Sequence, residues 1–315
     1  MKRCLCCYKP LKAGEIDYHP HCAKKMFGAA IAPILPYTRK DINRLAQIVV
    51  EKRTTVTGVQ SKLSIDLEHD AAGNPQRLTI VGVMGRYILK PQTEQFECLP
   101  EIEDLSMHLA EIAKIPTVPH SLIRFADGEL NYITKIIDRT DDGRKLPMED
   151  RCQLSGKRTE QKYQGSYEMI ARFLDQYSSV SMLDKVNYWQ QVVFSWIIGN
   201  ADMHLKNFSL YSIREGHYVL CPTYDQVSTK IVMPEDTEEM ALSLNGFKKS
   251  LLVYDFREAM FSTGLSEVVA NRILSGFAKF RDKWMVCIDN SFISDNQKEQ
   301  YKKLIDHRLE TLAKE

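Results

Sequence analysis

Asp202 and Asn207 are separated by four residues in Gly199-Asn200-Ala201-Asp202-Met203-His204-Leu205-Lys206-Asn207-Phe208-Ser209, directly after the apolar run Trp196-Ile197-Ile198. A D-x4-N pair can serve phosphoryl transfer: the carboxylate accepts or orients the proton of an attacking hydroxyl, and the amide oxygen takes a Mg²⁺. Asp225, in Pro222-Thr223-Tyr224-Asp225-Gln226, adds the carboxylate that a hard cation on a nucleotide needs. The same spacing also occurs in ordinary loop turns, so its meaning depends on what surrounds it.

Two further groups could do chemistry. Lys90 ends the run Arg86-Tyr87-Ile88-Leu89-Lys90, and Glu101-Ile102-Glu103 opens the following helical pattern. A strand-end lysine is ordinarily a surface residue, but a carboxylate that orients it makes it a candidate phosphate ligand. Cys4-x2-Cys7 followed by His19-x2-Cys22 has the two-pair spacing of a tetrahedral zinc site. Cys6 and His21 are competing ligands there, and free thiols on a short tail are the plain alternative. Two complete pairs close the coordination sphere, so the expected role is structural.

These groups need elements to position them. The Cys/His segment, residues 1–28, ends in a short helical pattern, and Ala32-Pro33-Ile34-Leu35-Pro36 reads as an extended linker because each proline biases its predecessor away from helix. Strand patterns follow at Lys62–Leu67, Leu78–Val83, Arg86–Lys90, Ser121–Phe125 and Leu130–Ile137, with a helical pattern over Glu101–Lys114. Beyond Asp138 the periodicity is mostly helical: Tyr167–Leu174, Asp184–Ile198, Val268–Lys283 and Asp295–Ala313, with a strand at Tyr218–Leu220 between two loops. A β-rich part followed by a helical part is the outline of an α+β, protein-kinase-like two-lobed fold.

With that order in place, Gly199–Ser209 together with Tyr224-Asp225 resembles the catalytic and metal-binding segments of HipA-like toxin Ser/Thr kinases, and the resemblance extends over roughly residues 50–310. It implies Asp202 as catalytic base, and Asn207 and Asp225 as Mg²⁺ ligands. Lys90 would be the ATP lysine, with Glu103 as its carboxylate and Glu101 close behind. Thr54-Thr55-Val56-Thr57-Gly58-Val59-Gln60-Ser61-Lys62 is similar to the family's phosphate-covering loop, with ATP contacts expected from Thr57, Gly58, Val59, Gln60 and Lys62. Taken alone it is only a Thr/Gly turn before a strand, and it is not a Walker A sequence. The resemblance further implies nucleotide contacts at His204 and Lys206, an adenine edge near Lys135 and Ile137, and autophosphorylation of Thr55 or Thr57, which would place about −1.5 to −2 charges where ATP phosphates belong. The expected divisions are a zinc knuckle at 1–28, a β-rich lobe with the nucleotide loop at 29–137 and a helical lobe with the catalytic loop at 138–315. Asn200 and Gln226 depart from the eukaryotic H-R-D and D-F-G patterns, so no flipping activation segment is expected.

Composition bounds the remaining possibilities. With 315 residues, 44% hydrophobic and a formal net charge of +1, the chain can bury a large core and carries no bulk charge footprint for nucleic acid or membrane. Eight cysteines in one N-terminal group and four singletons suit reduced thiols and a cytoplasmic setting. The few tens of residues before Thr54 suggest a short form lacking the family's N-terminal subdomain, with that subdomain and an antitoxin as separate partner chains and an aminoacyl-tRNA synthetase as the class of protein substrate. Two other readings stand beside the kinase: a small-molecule phosphotransferase of the aminoglycoside type, and a nucleotide-binding but catalytically silent regulatory subunit.

Overall fold

The computed structural model describes residues 2–42, 44, 62–71, 73–81, 85–140, 144–154, 156 and 158–314. The chain divides into two compact units, residues 1–104, 118–137 and 290–292 in the first and 105–117, 138–289 and 293–315 in the second.

The first unit is built on an antiparallel sheet of five strands in the order β2-β1-β3-β5-β4. These are β1 (Leu63–His69), β2 (Pro75–Ile80), β3 (Tyr87–Lys90), β4 (His120–Arg124) and β5 (Leu130–Lys135). Alternation makes β1 a half-buried strand: Leu63, Ile65 and Leu67 turn into the core, and the residues between them do not. In register, Leu63 faces Leu89 and Leu89 faces Ile133, which stacks apolar side chains on one face. α1 (Pro20–Phe27) starts with proline at its first position and stops at Gly28, whose left-handed φ of 85° lets its N–H return to the Lys24 carbonyl.

The extended segment at Ile34 lies beside β2, where Ile34 N–H donates to Gln76 O at 3.0 Å and its carbonyl accepts from Leu78 N–H at 2.9 Å. Cys4, Leu5, Tyr18, Cys22, Ala23, Met26 and Phe27 share one apolar cluster with the buried residues of β1, β3, β4 and β5. The buried residues of this segment are therefore part of the sheet's core, held there by the burial of Leu5 and α1. α2 (Leu99–Ile112) has its first residues, to Asp104, in this unit and the rest in the second.

The second unit is mainly helical. Its longer helices are α3 (Tyr167–Tyr177), α4 (Ser181–Ile197), α5 (Val253–Ser262), α6 (Glu267–Ser275), α7 (Arg281–Asn290) and α8 (Asp295–Leu312). Ser166 caps α3 by accepting from Met169 N–H at 3.2 Å, and Ser294 caps α8 in the same way from Gln297 at 3.3 Å. Trp189 and Trp196 of α4 and Trp284 of α7 are fully buried and anchor the helical core. A three-stranded sheet in the order β6 (Met148–Asp150), β7 (Ser209–Arg214), β8 (His217–Leu220) flanks it.

The β-then-α order of the expected kinase-like fold is observed. Two local expectations change. The helical pattern over Val268–Lys283 is two helices separated by a 3₁₀ turn at Ala278–Phe280; Gly276 ends the first of them, and a Cβ there would come 2.6 Å from the Arg272 carbonyl. The stretch after the catalytic loop is a strand, since Leu210 pairs with Leu220 across the hairpin. Among the described residues no helix is long and apolar enough to cross a membrane.

Candidate active site

In the second unit the loop after α4 begins at Gly199, which has a φ of 70°. A Cβ there would meet Leu304 Cδ2 and Lys230 Cβ, both at 2.8 Å, so both the turn and the packing call for glycine. The next residue, Asn200, is fully buried and ties the loop to the Asp225 segment: its Nδ2 donates to Gln226 Oε1 at 3.1 Å, and its Oδ1 accepts from Asp202 N–H at 3.1 Å. Gln226 Oε1 also accepts from Ser195 Oγ at 3.1 Å, and its Nε2 donates to Thr223 Oγ1 at 2.9 Å. The two residues that depart from the eukaryotic motifs thus form a buried, hydrogen-bonded bridge, and such a bridge holds one arrangement.

That bridge brings the metal-ligand candidates together. Asn207 Nδ2 donates to Asp225 Oδ2 at 3.2 Å, and Asn207 Oδ1 accepts from His204 N–H at 3.1 Å. An amide oxygen has two lone pairs, so Oδ1 keeps acceptor capacity beside that contact. A donor set of one amide and one carboxylate on contacting residues, with no thiol or imidazole nitrogen in it, is of the type that suits Mg²⁺. Asp225 adopts a φ of 56°, in the left-handed region that Asp and Asn enter more readily than other side chains.

Asp202 lies at the start of the same loop, and its Oδ1 accepts a 2.6 Å hydrogen bond from the Tyr163 hydroxyl. Burial, and then this contact with a carboxylate, push the Tyr163 phenol above its ordinary value, so it stays a donor. The Tyr163 ring also meets His204 edge-on at 5.1 Å. Burial draws the His204 imidazole down to about 4, so it is neutral at physiological pH. Lys206, expected at the nucleotide, pairs with Asp150 of β6 at 2.7 Å.

In the first unit, Lys90 is 4% exposed at the end of β3 and pairs with Glu103 of α2. Its ammonium also stands 5.4 Å from the centre of the Tyr132 ring. Of the two acidic candidates the structure selects Glu103; Glu101 is displaced by two positions on the helix, and its Oε2 is buried with no hydrogen-bond partner among the described residues. Lys135 N–H donates to Pro119 O and Ile136 N–H to Arg86 O, both at 2.9 Å, so an adenine contact near Lys135 and Ile137 would use other backbone groups. Lys62 is exposed just before β1, while Thr55, Thr57, Gly58, Val59 and Gln60 lie outside the described residues. Cys4, Cys7, His19 and Cys22 are brought into one group.

Tyr163 is the contact of Asp202 that sequence reasoning left without a role. It lies 39 residues from Asp202, and no local spacing links the two. Asn200 and Gln226 were visible only as departures from another family's motifs.

The family model for the HipA-like C-terminal domain matches residues 54–284. A Haemophilus influenzae protein named "Putative kinase" is 27% identical over 302 residues, covering 89% of this chain and 82% of that protein. A Sinorhizobium fredii protein, "Putative kinase Y4dM", is 32% identical over 220 residues, 64% of this chain and 53% of that protein. Among solved structures, HipA of a Shewanella oneidensis toxin–antitoxin complex with HipB and operator DNA aligns with a TM-score of 0.69 at 19% identity, over 95% of this chain and 79% of that one. The Helicobacter pylori proinflammatory kinase CtkA aligns with a TM-score of 0.55 at 14% identity, over 80% of this chain and 94% of that one. The fold is therefore kinase-like, and the match across residues 54–284 shows that the chain belongs to the HipA-like C-terminal domain family.

Proposed function

We propose that the protein is a Mg-ATP-dependent Ser/Thr protein kinase, with Asp202 as the base that takes the proton of the substrate hydroxyl. The observation that carries this reading is the contact between Asn207 and Asp225, on a loop that also presents Asp202. Asn207 Oδ1 and the Asp225 carboxylate would hold Mg²⁺. When bound, the ion neutralises charge on the phosphate oxygens during transfer. Asp202 orients the attacking hydroxyl once Tyr163 has given up the carboxylate oxygen it now occupies. Lys90, buried and aligned by Glu103, supplies an ammonium for the α/β-phosphates.

The finer assignment is a toxin with an antitoxin partner. It rests on family membership and on the toxin–antitoxin setting of the Shewanella oneidensis structure. A protein hydroxyl, with an aminoacyl-tRNA synthetase as the class the family resemblance suggests, is the proposed acceptor. Autophosphorylation of Thr55 or Thr57 is proposed as the inactivating event, because a phosphate there would repel those of ATP.

The test is transfer from γ-labelled ATP with Mg²⁺, for wild type and Asp202→Asn, alone and with a cell extract, followed by mass mapping. A positioned base contributes about 10²–10⁴-fold. Label on Thr55, Thr57 or an extract protein that falls by that factor in the variant supports the reading. ATP binding without any transfer would replace it with a regulatory subunit, and turnover of a sugar alcohol or aminoglycoside with a small-molecule kinase.

A further inference from the structure

We infer that Cys4, Cys7, His19 and Cys22 form a closed structural zinc site, and that the ion fixes the turn from which Tyr8 holds Asp104. The three sulfurs and one imidazole nitrogen all lie within 4.8 Å of one another. Around a tetrahedral ion with Zn–S near 2.3 Å, donor atoms stand about 3.8 Å apart, so a small contraction completes the shell.

The histidine is already set for this role. Its Nδ1 faces Cys7 Sγ at 3.4 Å, and its Nε2 is 3.1 Å from the Pro10 carbonyl. A carbonyl can only accept, so the proton belongs on Nε2 and Nδ1 offers its lone pair toward the sulfurs. The competing residues fall outside the group: it closes without Cys6, and His21 presents Nε2 to Cys22 Sγ at 3.3 Å, where an N–H would support a metal-bound thiolate. Three sulfurs and one nitrogen leave no open position for a substrate, which makes the site structural.

Its surroundings determine what the ion would hold. The turn after Cys4 closes through Tyr8 N–H to Cys4 O at 3.0 Å and Cys4 N–H to Lys9 O at 2.9 Å, and Tyr8 takes a φ of 61°. From that constrained position the Tyr8 hydroxyl donates to Asp104 Oδ2 at 2.7 Å, while His120 Nδ1 meets Asp104 Oδ1 at 2.7 Å. On the same segment Leu5 O accepts from Leu122 N–H at 3.2 Å, tying the knuckle to β4. Asp104 is adjacent in sequence to Glu103, so the metal-held turn braces the stretch of α2 that carries the partner of Lys90.

The test is metal analysis of full-length protein purified without chelator, Co²⁺ substitution, and hydrogen–deuterium exchange before and after metal removal. We expect about one zinc per chain and the visible d–d bands of a tetrahedral thiolate site with Co²⁺. Zinc should be retained in Cys6→Ser and His21→Ala and lost in Cys7→Ser. Metal removal from wild type should speed exchange in Leu99–Asp104 and His120–Arg124 and leave α8 unchanged. Absence of zinc and of the Co²⁺ bands in wild type overturns the site, as does zinc that survives Cys7→Ser combined with His19→Ala. Unchanged exchange in the two segments after metal removal overturns the brace. None of these readings needs nucleotide, so they stand apart from the kinase assignment.

Discussion

The Tyr163 hydroxyl donates a 2.6 Å hydrogen bond to Asp202 Oδ1, the oxygen a substrate hydroxyl would need. Tyr163 is 43% exposed, so its ring has room to swing away. Tyr163→Phe removes the competing donor and leaves the ring against His204. We expect kcat/KM for the protein substrate to rise about two- to tenfold, the range of one net intramolecular hydrogen bond. A comparable fall instead would make Tyr163 a positioning residue for Asp202.

Asp225 combines a left-handed backbone with the contact to Asn207. Asn tolerates that backbone, so Asp225→Asn tests the charge without adding strain. Affinity for Mg-ATP should fall about tenfold or more, and affinity for ATP without Mg²⁺ should hold or improve. Calorimetry at several Mg²⁺ concentrations separates the two. An equal loss with and without Mg²⁺ would contradict the metal assignment.

Lys90 and Glu103 form a buried ion pair, with exposures of 4% and 2%. Glu103→Gln removes the carboxylate that neutralises the ammonium, at a cost of about 3–5 kcal/mol in unfolding free energy. Replacing both, as Lys90→Met with Glu103→Leu, should recover most of that stability, since burying an ion pair carries its own desolvation cost. ATP binding should be lost in the double variant, which lacks the ammonium. Denaturant melts and nucleotide titrations of the same samples distinguish stability from function.

Burial pushes the Glu101 carboxyl up to about 7. The folded value lies above the unfolded one, so the carboxyl's contribution to stability is fully present below about pH 4.5 and is lost as pH rises toward 7. Glu101→Gln should therefore raise Tm at about pH 7.5 and change it little at about pH 4.5, with a gain on the order of 1–2 kcal/mol after allowing for solvent screening. Melting curves across that window check the sign. No gain, or a loss, at about pH 7.5 would show that Glu101 is ionised in the fold.

Much of the architecture was legible locally. β1 and α3 follow from period-2 and period-3.6 patterns, because in each the apolar period and the buried face coincide, while β3, β4 and β5 were readable as short β-type runs that the structure buries almost throughout. The split between α6 and α7 was hidden because both halves keep a helical pattern, and the break falls at Gly276, whose close approach to the Arg272 carbonyl no periodicity records. β7 was passed over because the chemistry of the preceding loop dominated the reading and Ser209-Leu210-Tyr211-Ser212 shows no clean alternation.

The sequence by itself determined the candidates: Asp202, Asn207 and Asp225 by their order around a loop, Lys90 by its place at a strand end, and the four Cys/His residues by their two-pair spacing. Tertiary structure decided between alternatives that spacing leaves equal. It chose Glu103 over Glu101 because the helical periodicity turns only one of them toward Lys90. It gave Lys206 a partner in Asp150 and Asp202 one in Tyr163, and made Asn200 and Gln226 the bridge that joins two loops. Each of these depends on hydrogen-bond geometry between residues far apart in the chain, and a buried polar group settles on whichever partner the packing brings within reach.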